Sequence, residues 1–298
     1  MKSLPSMIIA NLIGGLGNQM FQYATGRAFA HRHNVPLLLD ASGFAHYDLR
    51  RYELGELSIQ ARLATEDELT RAGVKAKAPT LFNRVSKALG FDRPANQLKE
   101  ASFTYDARIE QATPPVYLDG YWQSERYFAG IADLLRQEFM LREPVDAANE
   151  KIAAQVREAD ASAVSLHIRR GDYVNNPQTA QYHGVCSLDY YRAAVNYVAA
   201  RVSAPHFFVF SDDHAWVSEN FKLDHAVTLV DVNGADRGVW DMALMKACRH
   251  HVIANSSFSW WGAWLNPHAD KIVVAPQHWF SGASHDTSDL IPASWIRL

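Results

Sequence analysis

Apolar residues recur along this chain in short runs that alternate with patterns of helical spacing. The run Met7 to Ile13 precedes a glycine-rich turn, and apolar residues between positions 20 and 29 then fall on one helical face. The apolar segment Val35 to Asp40 predicts a second strand. This order of strand, turn, helix and strand predicts a βαβ unit.

The stretch from Ser42 to Gln111 is polar and mixed in pattern. It predicts an irregular insertion with one helix near Thr65 to Ala72. A strand is predicted at Val116 to Asp119, followed by a helix that Ser124 caps.

The second half of the chain alternates more regularly. Strands are predicted at residues 163–168, 206–210, 226–230, 251–254 and 271–275, with helices between them. Strands that alternate with helices predict parallel, doubly wound sheets. The proline-containing segment 141–149 is the predicted linker, which divides the chain into domains 1–145 and 146–298.

Ligands of such sheets bind beyond the carboxyl ends of the strands. At the first such end, the segment from His167 to Asp172 contains two adjacent arginines. Guanidinium groups bind phosphate through forked, charge-assisted hydrogen bonds. Neighbours in a strand point to opposite faces, so we expect one of Arg169 and Arg170 to face the cleft while the other packs or pairs elsewhere. His167 shares a face with Arg169, so these two are candidates to grip one diphosphate. The alternative is a structural ion pair between Arg170 and Asp172.

Asp212 and Asp213 follow the next predicted strand. Carboxylates there are predicted to accept hydrogen bonds from ligand hydroxyl or base groups. A metal site would need further oxygen ligands, and none is evident nearby in the sequence. The alternative is that Asp213 caps the following helix.

A third strand end carries Asn255, Ser256, Ser257 and Phe258, which open a helix. Backbone N–H groups and serine hydroxyls at a helix start form an anion site. Ordinary capping by either serine is the alternative, and the two interpretations are compatible.

The turn after the first strand contains Gly15, Gly17, Asn18 and Gln19. Glycines there let a backbone approach a ligand closely. Their spacing differs from the dinucleotide fingerprint GxGxxG, although Asp40 has roughly the offset of the ribose-binding acid. An NAD-dependent enzyme is therefore an alternative that the spacing disfavours.

Composition excludes other classes of protein. With a formal net charge of −3, the chain lacks the basic field that nucleic-acid binding needs. Its two cysteines stand outside any CxxC pair, which suits a reducing cytosol. The first apolar run is too short for a membrane span and has no signal-peptide cleavage site. Zinc-protease, nucleophile-elbow and Walker A motifs are absent from the sequence.

Five stretches together resemble glycosyltransferase family 11, the α-1,2-fucosyltransferases. The similarity runs from residue 8 to about residue 280, in the order expected for the family. The stretches are GGLGNQMFQYA (14–24), DGYWQSERYF (119–128), HIRRGDY (167–173), FSDD (210–213) and NSSFSWWGAWL (255–265).

The resemblance implies a GT-B fold, in which two Rossmann-like domains face each other across a cleft and the second holds most of the donor. It implies transfer of L-fucose from GDP-fucose to O2 of a terminal β-galactose on a glycan acceptor. It also implies inversion at the anomeric carbon and no required metal or other cofactor. An arginine and a helix N-terminus can stabilise a departing diphosphate without magnesium.

The resemblance assigns the leaving-group role to Arg169, and the residues at the strand ends suggest the other roles. Arg169 neutralises the charge on the leaving GDP, assisted by His167 and the helix start at Ser256 and Ser257. The expected donor-binding set is Gly15, Gly17, Asn18, Gln19, Arg169, Asp212, Asp213, Asp241, Asn255, Ser256, Ser257 and Phe258. Within it, Asp212 or Asp213 contacts guanine or ribose, and Asp241 is a further candidate for guanine.

A cleft carboxylate would suit the general base, with Asp172 as the first choice and Asp119 as the second. We expect residues 42–111 to shape the acceptor pocket. We also expect a cytoplasmic protein; peripheral contact with the inner membrane and the oligomeric state stay open. Two rivals remain, another nucleotide-sugar transferase on this fold and a non-catalytic protein that binds nucleotide or sugar.

Overall fold

The computed structural model describes residues 6–46, 50–74, 96–170, 184–281 and 285–298. The chain divides into two units, one of residues 1–139 with 288–290 and the other of residues 140–287 with 291–298. Each unit is an α/β structure on a parallel sheet, as the alternating pattern predicted. The assignment of acceptor and donor sides to the two domains stays a prediction.

In the described part of the first unit, the sheet has the order β3-β2-β1-β5-β4. Its strands are β1 (Ile8–Asn11), β2 (Leu37–Asp40), β3 (Arg62–Leu63), β4 (Gln97–Lys99) and β5 (Val116–Asp119). Its helices are α1 (Leu16–His33), α2 (Glu66–Arg71), α3 (Arg108–Gln111) and α4 (Ala132–Glu138). Short 3-10 turns occupy Ser42–His46, Leu54–Glu56, Glu125–Tyr127 and Ala129–Ile131. The central strand β1 is buried throughout, as expected for a parallel strand covered on both faces.

Two predictions for this unit were wrong in part. The stretch 42–111 is more than an irregular insertion, because it supplies β3 and β4 at the two edges of the sheet. Strands of two and three residues are too short to show an alternating pattern. Ser124 does cap a helical turn, but that turn is a 3-10 turn, and α4 begins only at Ala132.

In the described part of the second unit, the sheet has the order β11-β10-β9-β6-β7-β8. Its strands are β6 (Ala163–Ile168), β7 (His206–Ser211), β8 (Ala226–Val230), β9 (His250–Val252), β10 (Val273–Ala275) and β11 (Ile296–Arg297). Its helices are α5 (Ala147–Ala159), α6 (Leu188–Ala199), α7 (His214–Asn220), α8 (Gly238–Ala247) and α9 (Ser257–Leu265), with a 3-10 turn at Asp160–Ser162. Only β11 had no counterpart among the predicted strands.

Alternating residues of β6 and β7 build a core on each face of this sheet. Leu166 and Val209 pack with the buried residues of α6 on one face. Phe208 and Phe210 pack with residues of α5 and α8 on the other face. The sheet is thus covered on both sides, which leaves the strand ends as the place where polar side chains gather.

Candidate functional site

Two ion pairs join the chain segments that follow β6 and β7. Arg169 Nη1 lies 2.9 Å from Asp212 Oδ2, and Arg170 Nε lies 3.3 Å from Asp213 Oδ2. The backbone N–H of Arg170 also donates to Asp212 at 2.8 Å. Because β6 and β7 pair in parallel register, residues that leave the two strands at the same level meet. The sequence predicted all four residues at this edge, but not their pairing.

Arg170 is held by packing as well as by charge. Its guanidinium carbon lies 3.7 Å from the centroid of the Trp216 ring. Asp213 accepts the Trp216 backbone N–H at 3.1 Å and so caps α7. The packing expected of one arginine and the capping alternative for Asp213 are therefore both present. Asp172, the other proposed partner of Arg170 and first choice for a general base, lies outside the described residues.

His167 is buried near the carboxyl end of β6, with 4% of its surface exposed. Burial lowers the pKa of its imidazole well below the usual range, so the ring is neutral at pH 7. Its Nδ1 has no hydrogen-bond partner among the described residues, and its ring centroid lies 5.6 Å from that of Phe258. A neutral imidazole carries no positive charge. His167 could therefore contact the predicted diphosphate only through a hydrogen bond, and not as a cation.

Helix α9 begins just beyond β9, at the third predicted strand end. Ser256 occupies the N-cap position without a side-chain capping bond, and Ser257 and Phe258 are partly exposed. Asn255 instead supports neighbouring loops, since its amide donates to the carbonyl oxygens of Gly184 and Trp279, each at 3.2 Å. A helix start whose cap residue leaves the first amides without a side-chain acceptor is suited to an anion.

A buried amide network holds Asp241 in the first turn of α8. Asn233 donates to Asp241 Oδ1 at 2.8 Å. Asn233 and Asn149 also exchange two hydrogen bonds, of 2.8 and 3.0 Å. Burial raises the pKa of Asp241 to about 6. The sequence analysis missed Asn233. It follows the carboxyl end of β8, and parallel sheets bind their ligands beyond such ends (the strand-end rule).

The glycine-rich turn of the first unit leads into α1. Gly14 has a φ of 78°, a left-handed conformation that glycine adopts without steric cost. The buried carboxamide of Gln19 bonds the Gly14 carbonyl at 3.0 Å, the Arg51 carbonyl at 2.7 Å and the Glu53 N–H at 2.9 Å. Gln19 therefore fastens this turn to the segment at 51–53, and its role in donor binding stays a prediction.

Three more residues of the predicted donor set lie in the same turn. Gly15 is the N-cap of α1, and Gly17 is buried in its first turn. Asn18 is partly exposed and accepts a hydrogen bond from Gln123 Nε2 at 2.8 Å. The bond joins the predicted ligand turn to the turn that follows β5, a link between distant segments that sequence patterns do not show.

Carboxylates gather at the ends of β4 and β5. Asp119, the second choice for a general base, accepts from Asn11 Nδ2 at 2.9 Å and from Gln97 Nε2 at 2.8 Å. Glu100 lies one residue beyond β4, and burial raises the pKa of its carboxyl to about 7. Sequence reasoning missed Glu100, because the short strand that positions it was not recognised.

Metal and membrane features were searched over the described residues. Within them, no group of three or more His, Cys, Asp or Glu side chains could hold a metal ion. No helix in the described part of the chain is long and apolar enough to cross a membrane. Metal independence itself stays a prediction.

Comparison with known proteins identifies the family. The model of glycosyl transferase family 11 matches residues 104–298, more than half of the chain. This protein belongs to glycosyltransferase family 11. It is therefore a glycosyltransferase, and the resemblance inferred from five sequence stretches is confirmed.

Two relatives agree with this assignment, and one solved structure bears on the fold. The chain is 33% identical to an alpha-1,2-colitosyltransferase of Escherichia coli, over 98% of this chain and 99% of the relative. It is 25% identical to galactoside alpha-(1,2)-fucosyltransferase 1 of Saimiri boliviensis boliviensis, over 85% of this chain and 63% of the relative. The crystal structure of fucosyltransferase NodZ from Bradyrhizobium matches with a TM-score of 0.51 and 15% identity, covering 86% of this chain and 91% of NodZ. The likeness to NodZ supports the predicted GT-B-like class of fold.

Proposed function

We propose that this glycosyltransferase transfers L-fucose from GDP-fucose to O2 of a terminal β-galactose, with inversion and without a metal ion. The observation that carries the proposal is the position of Arg169, which Asp212 holds at the end of adjacent strands β6 and β7. A guanidinium has five N–H donors in a fixed fork, so one partner can orient it toward phosphate oxygens. Arg169 directly follows β6 and lies two residues beyond the buried His167.

The reaction needs stabilisation of the charge that develops on the departing GDP. The acceptor hydroxyl attacks the anomeric carbon as the bond from that carbon to the β-phosphate oxygen breaks, and its proton passes to a carboxylate base, for which the sequence predicts Asp172 or Asp119. Arg169 and the first amides of α9 supply donors for the phosphate oxygens, and such fixed donors are the usual source of the largest catalytic effect. His167, neutral and with Nδ1 unpartnered among the described residues, supplies a hydrogen bond rather than a charge.

Guanine recognition is the proposed task of Asp241. Guanine presents N–H groups on its Watson–Crick edge, and an ionised carboxylate accepts two of them. The Asn149–Asn233 pair fixes the orientation of Asp241 and satisfies one of its oxygens, which supports this use. Asp212 and Asp213 already receive bonds from the two arginines, so a contact with ribose stays a secondary prediction.

The relatives favour two donors that differ by one hydroxyl group. One relative is named for fucose and another for colitose, which is L-fucose without its 3-hydroxyl. The NodZ protein has been crystallised with GDP, which supports a GDP-linked donor here. Transfer of colitose is therefore the second candidate function, and it would use the same phosphate and guanine contacts.

The decisive experiment is transfer from labelled GDP-fucose to lactose in the presence of EDTA, with GDP-colitose and UDP-galactose as competing donors. We expect fucosylated lactose and no inhibition by EDTA. Preferential transfer from GDP-colitose would replace fucose by colitose. Loss of transfer in EDTA, restored by magnesium, would refute the metal-independent mechanism. Binding of GDP without transfer to any galactoside would point to another donor or acceptor, and no binding of GDP would overturn the proposal.

A further inference from the structure

The turn after β5 in the first unit is built around the side chain of Glu100. Glu100 Oε2 accepts the Tyr121 N–H at 2.6 Å, and Oε1 accepts the Trp122 N–H at 2.9 Å. A Cβ atom at Gly120 would overlap the Glu100 side chain, so only glycine lets the turn lie this close. Trp122 has a φ of 56°, which residues other than glycine rarely adopt. One carboxylate thus holds a strained turn in place.

Three buried polar atoms around this turn have no hydrogen-bond partner among the described residues. They are Asn11 Oδ1, Trp122 Nε1 and Gln123 Oε1, on residues that are 5%, 1% and 6% exposed. The other end of each carboxamide is occupied, because Asn11 donates to Asp119 and Gln123 donates to Asn18. Buried polar groups are nearly always paired, so three orphans around one turn indicate that a hydrogen-bonding ligand completes them.

The chemistry of the three atoms defines the class of ligand. Two are acceptors and one is a donor, and the partly exposed Glu100 adds a carboxylate. A sugar presents several adjacent hydroxyl groups, each both donor and acceptor, which such a mixed set can satisfy. Tyr121, in the same turn, stacks with Phe103; both rings are partly exposed, with centroids 6.3 Å apart and an interplanar angle of 18°. Aromatic faces give a sugar ring an apolar surface to pack on.

We propose that Asn11, Glu100, Trp122 and Gln123, with the Phe103–Tyr121 ring pair, form the subsite that binds the acceptor β-galactoside. This inference rests on the proposed function for the identity of the sugar. In this subsite Glu100 accepts hydrogen bonds from galactoside hydroxyls while it holds the turn, and Trp122 Nε1 donates to one sugar oxygen. The site lies at the carboxyl ends of β1, β4 and β5, where parallel sheets bind their ligands.

Trp122→Phe tests ligand binding apart from support of the turn, whereas Glu100→Gln tests the carboxylate that serves both roles. Trp122→Phe removes the indole N–H and keeps an aromatic ring and every backbone hydrogen bond of the turn. Glu100→Gln keeps the size of the side chain and removes its charge. The control is Glu66→Gln, which removes an exposed carboxylate in the first turn of α2. Circular dichroism and thermal unfolding show which variants remain folded.

The measurements are KM for lactose, KM for GDP-fucose and the Kd for GDP. We expect both test variants to raise the lactose KM at least about tenfold, as loss of a buried hydrogen bond to a ligand does, with donor constants within about twofold. Deoxygenated lactoses sharpen the test. Wild type should discriminate against the analogue that lacks the oxygen bound by Trp122 Nε1, and Trp122→Phe should lose that discrimination. A lactose KM within twofold of wild type in folded Trp122→Phe and Glu100→Gln would overturn the subsite.

Direct binding separates failure of the subsite from failure of the proposed function. Saturation-transfer NMR detects methyl β-galactoside bound in the presence of GDP without any turnover. If wild type binds the galactoside and both variants lose it, the subsite is supported even when GDP-fucose is not the donor. If wild type fucosylates lactose and the folded variants still bind the galactoside normally, the subsite is wrong and the function stands. If wild type binds no galactoside, both proposals fail.

Discussion

The residues at the strand ends differ in chemistry between the two units. In the second unit, two arginines and two aspartates pair between neighbouring strands, so positive charge is held in place by fixed partners. In the first unit, carboxylates and carboxamides surround a turn, and three buried polar atoms lack partners among the described residues. Fixed positive charge suits a diphosphate, whereas unpaired neutral donors and acceptors suit a sugar. Under the two proposals, the same sheet architecture serves two kinds of recognition through the residues that follow its strands.

The largest effect that tests this contrast is expected from Arg169. Arg169→Ala should lower kcat about 10²- to 10³-fold, because it removes a fixed donor from the leaving diphosphate. Arg192→Ala, which removes an exposed arginine on α6, is the matched control and should leave kcat unchanged. Steady-state kinetics and unfolding curves of both variants check the prediction. Near-normal turnover in a folded Arg169→Ala protein would refute the assignment of phosphate binding to the second unit.

Glu100 gives a pH-dependent prediction for the first unit. Its folded pKa, about 7, is above the usual value of 4.5, so between these values the folded state holds more protons than the unfolded state. Its contribution to stability is complete below pH 4.5 and is lost as pH rises through 7. Relative to Glu100→Gln, wild type should lose up to about 3 kcal/mol over this range.

Urea unfolding of both proteins between pH 4 and 8 measures this difference. Glu66→Gln serves as the control, since it makes the same chemical change at an exposed carboxylate on α2. Parallel curves for Glu100→Gln and wild type would mean that the carboxyl at the turn is not desolvated, which would weaken the contrast between the two strand ends.

Substitution of Asp241 is expected to have a smaller effect than that of Arg169, and the effect is on donor binding. Asp241→Asn should raise the Kd for GDP about tenfold, the loss of roughly 1.4 kcal/mol expected for a charge-assisted hydrogen bond. Because the pKa of Asp241 is about 6, its contribution to GDP affinity should be nearly complete by about pH 7 and should be lost as pH falls through 6 in wild type. Calorimetric titration between pH 5 and 8 checks both points. An unchanged pH profile in Asp241→Asn would remove this residue from the guanine site.

Substitution of Arg170 should have the smallest effect. It tests whether the two adjacent arginines, Arg169 and Arg170, have different roles. Arg170→Lys keeps the charge and loses the stacking on Trp216, so we expect about 1 kcal/mol less stability. The Kd for GDP should stay within about twofold, because Arg170 is engaged by Asp213 and Trp216. A tenfold loss of GDP affinity instead would show that both arginines bind the donor.

Sequence patterns predicted most of the regular elements and much of the second strand edge. The prediction reached Arg169, Asp212 and Ser256 because each follows an apolar run that can be recognised in the sequence. It missed Glu100 because β4 (Gln97–Lys99) contains a single apolar residue and so shows no such run. Asn233 was missed although β8 was predicted, because it lies beyond the residues that directly follow this strand.

The sequence by itself determined the alternation of strands and helices, the family and the charged motifs, because these depend on residues close together in the chain. Only the tertiary structure decided which charges pair, that His167 is neutral, and that Asn11, Trp122 and Gln123 gather at one turn. Pairing and burial depend on strand register and on contacts between distant segments such as Asn11 and Asp119, 108 positions apart. Local pattern carries no information on such contacts, whereas the folded sheet fixes them through the order of its strands.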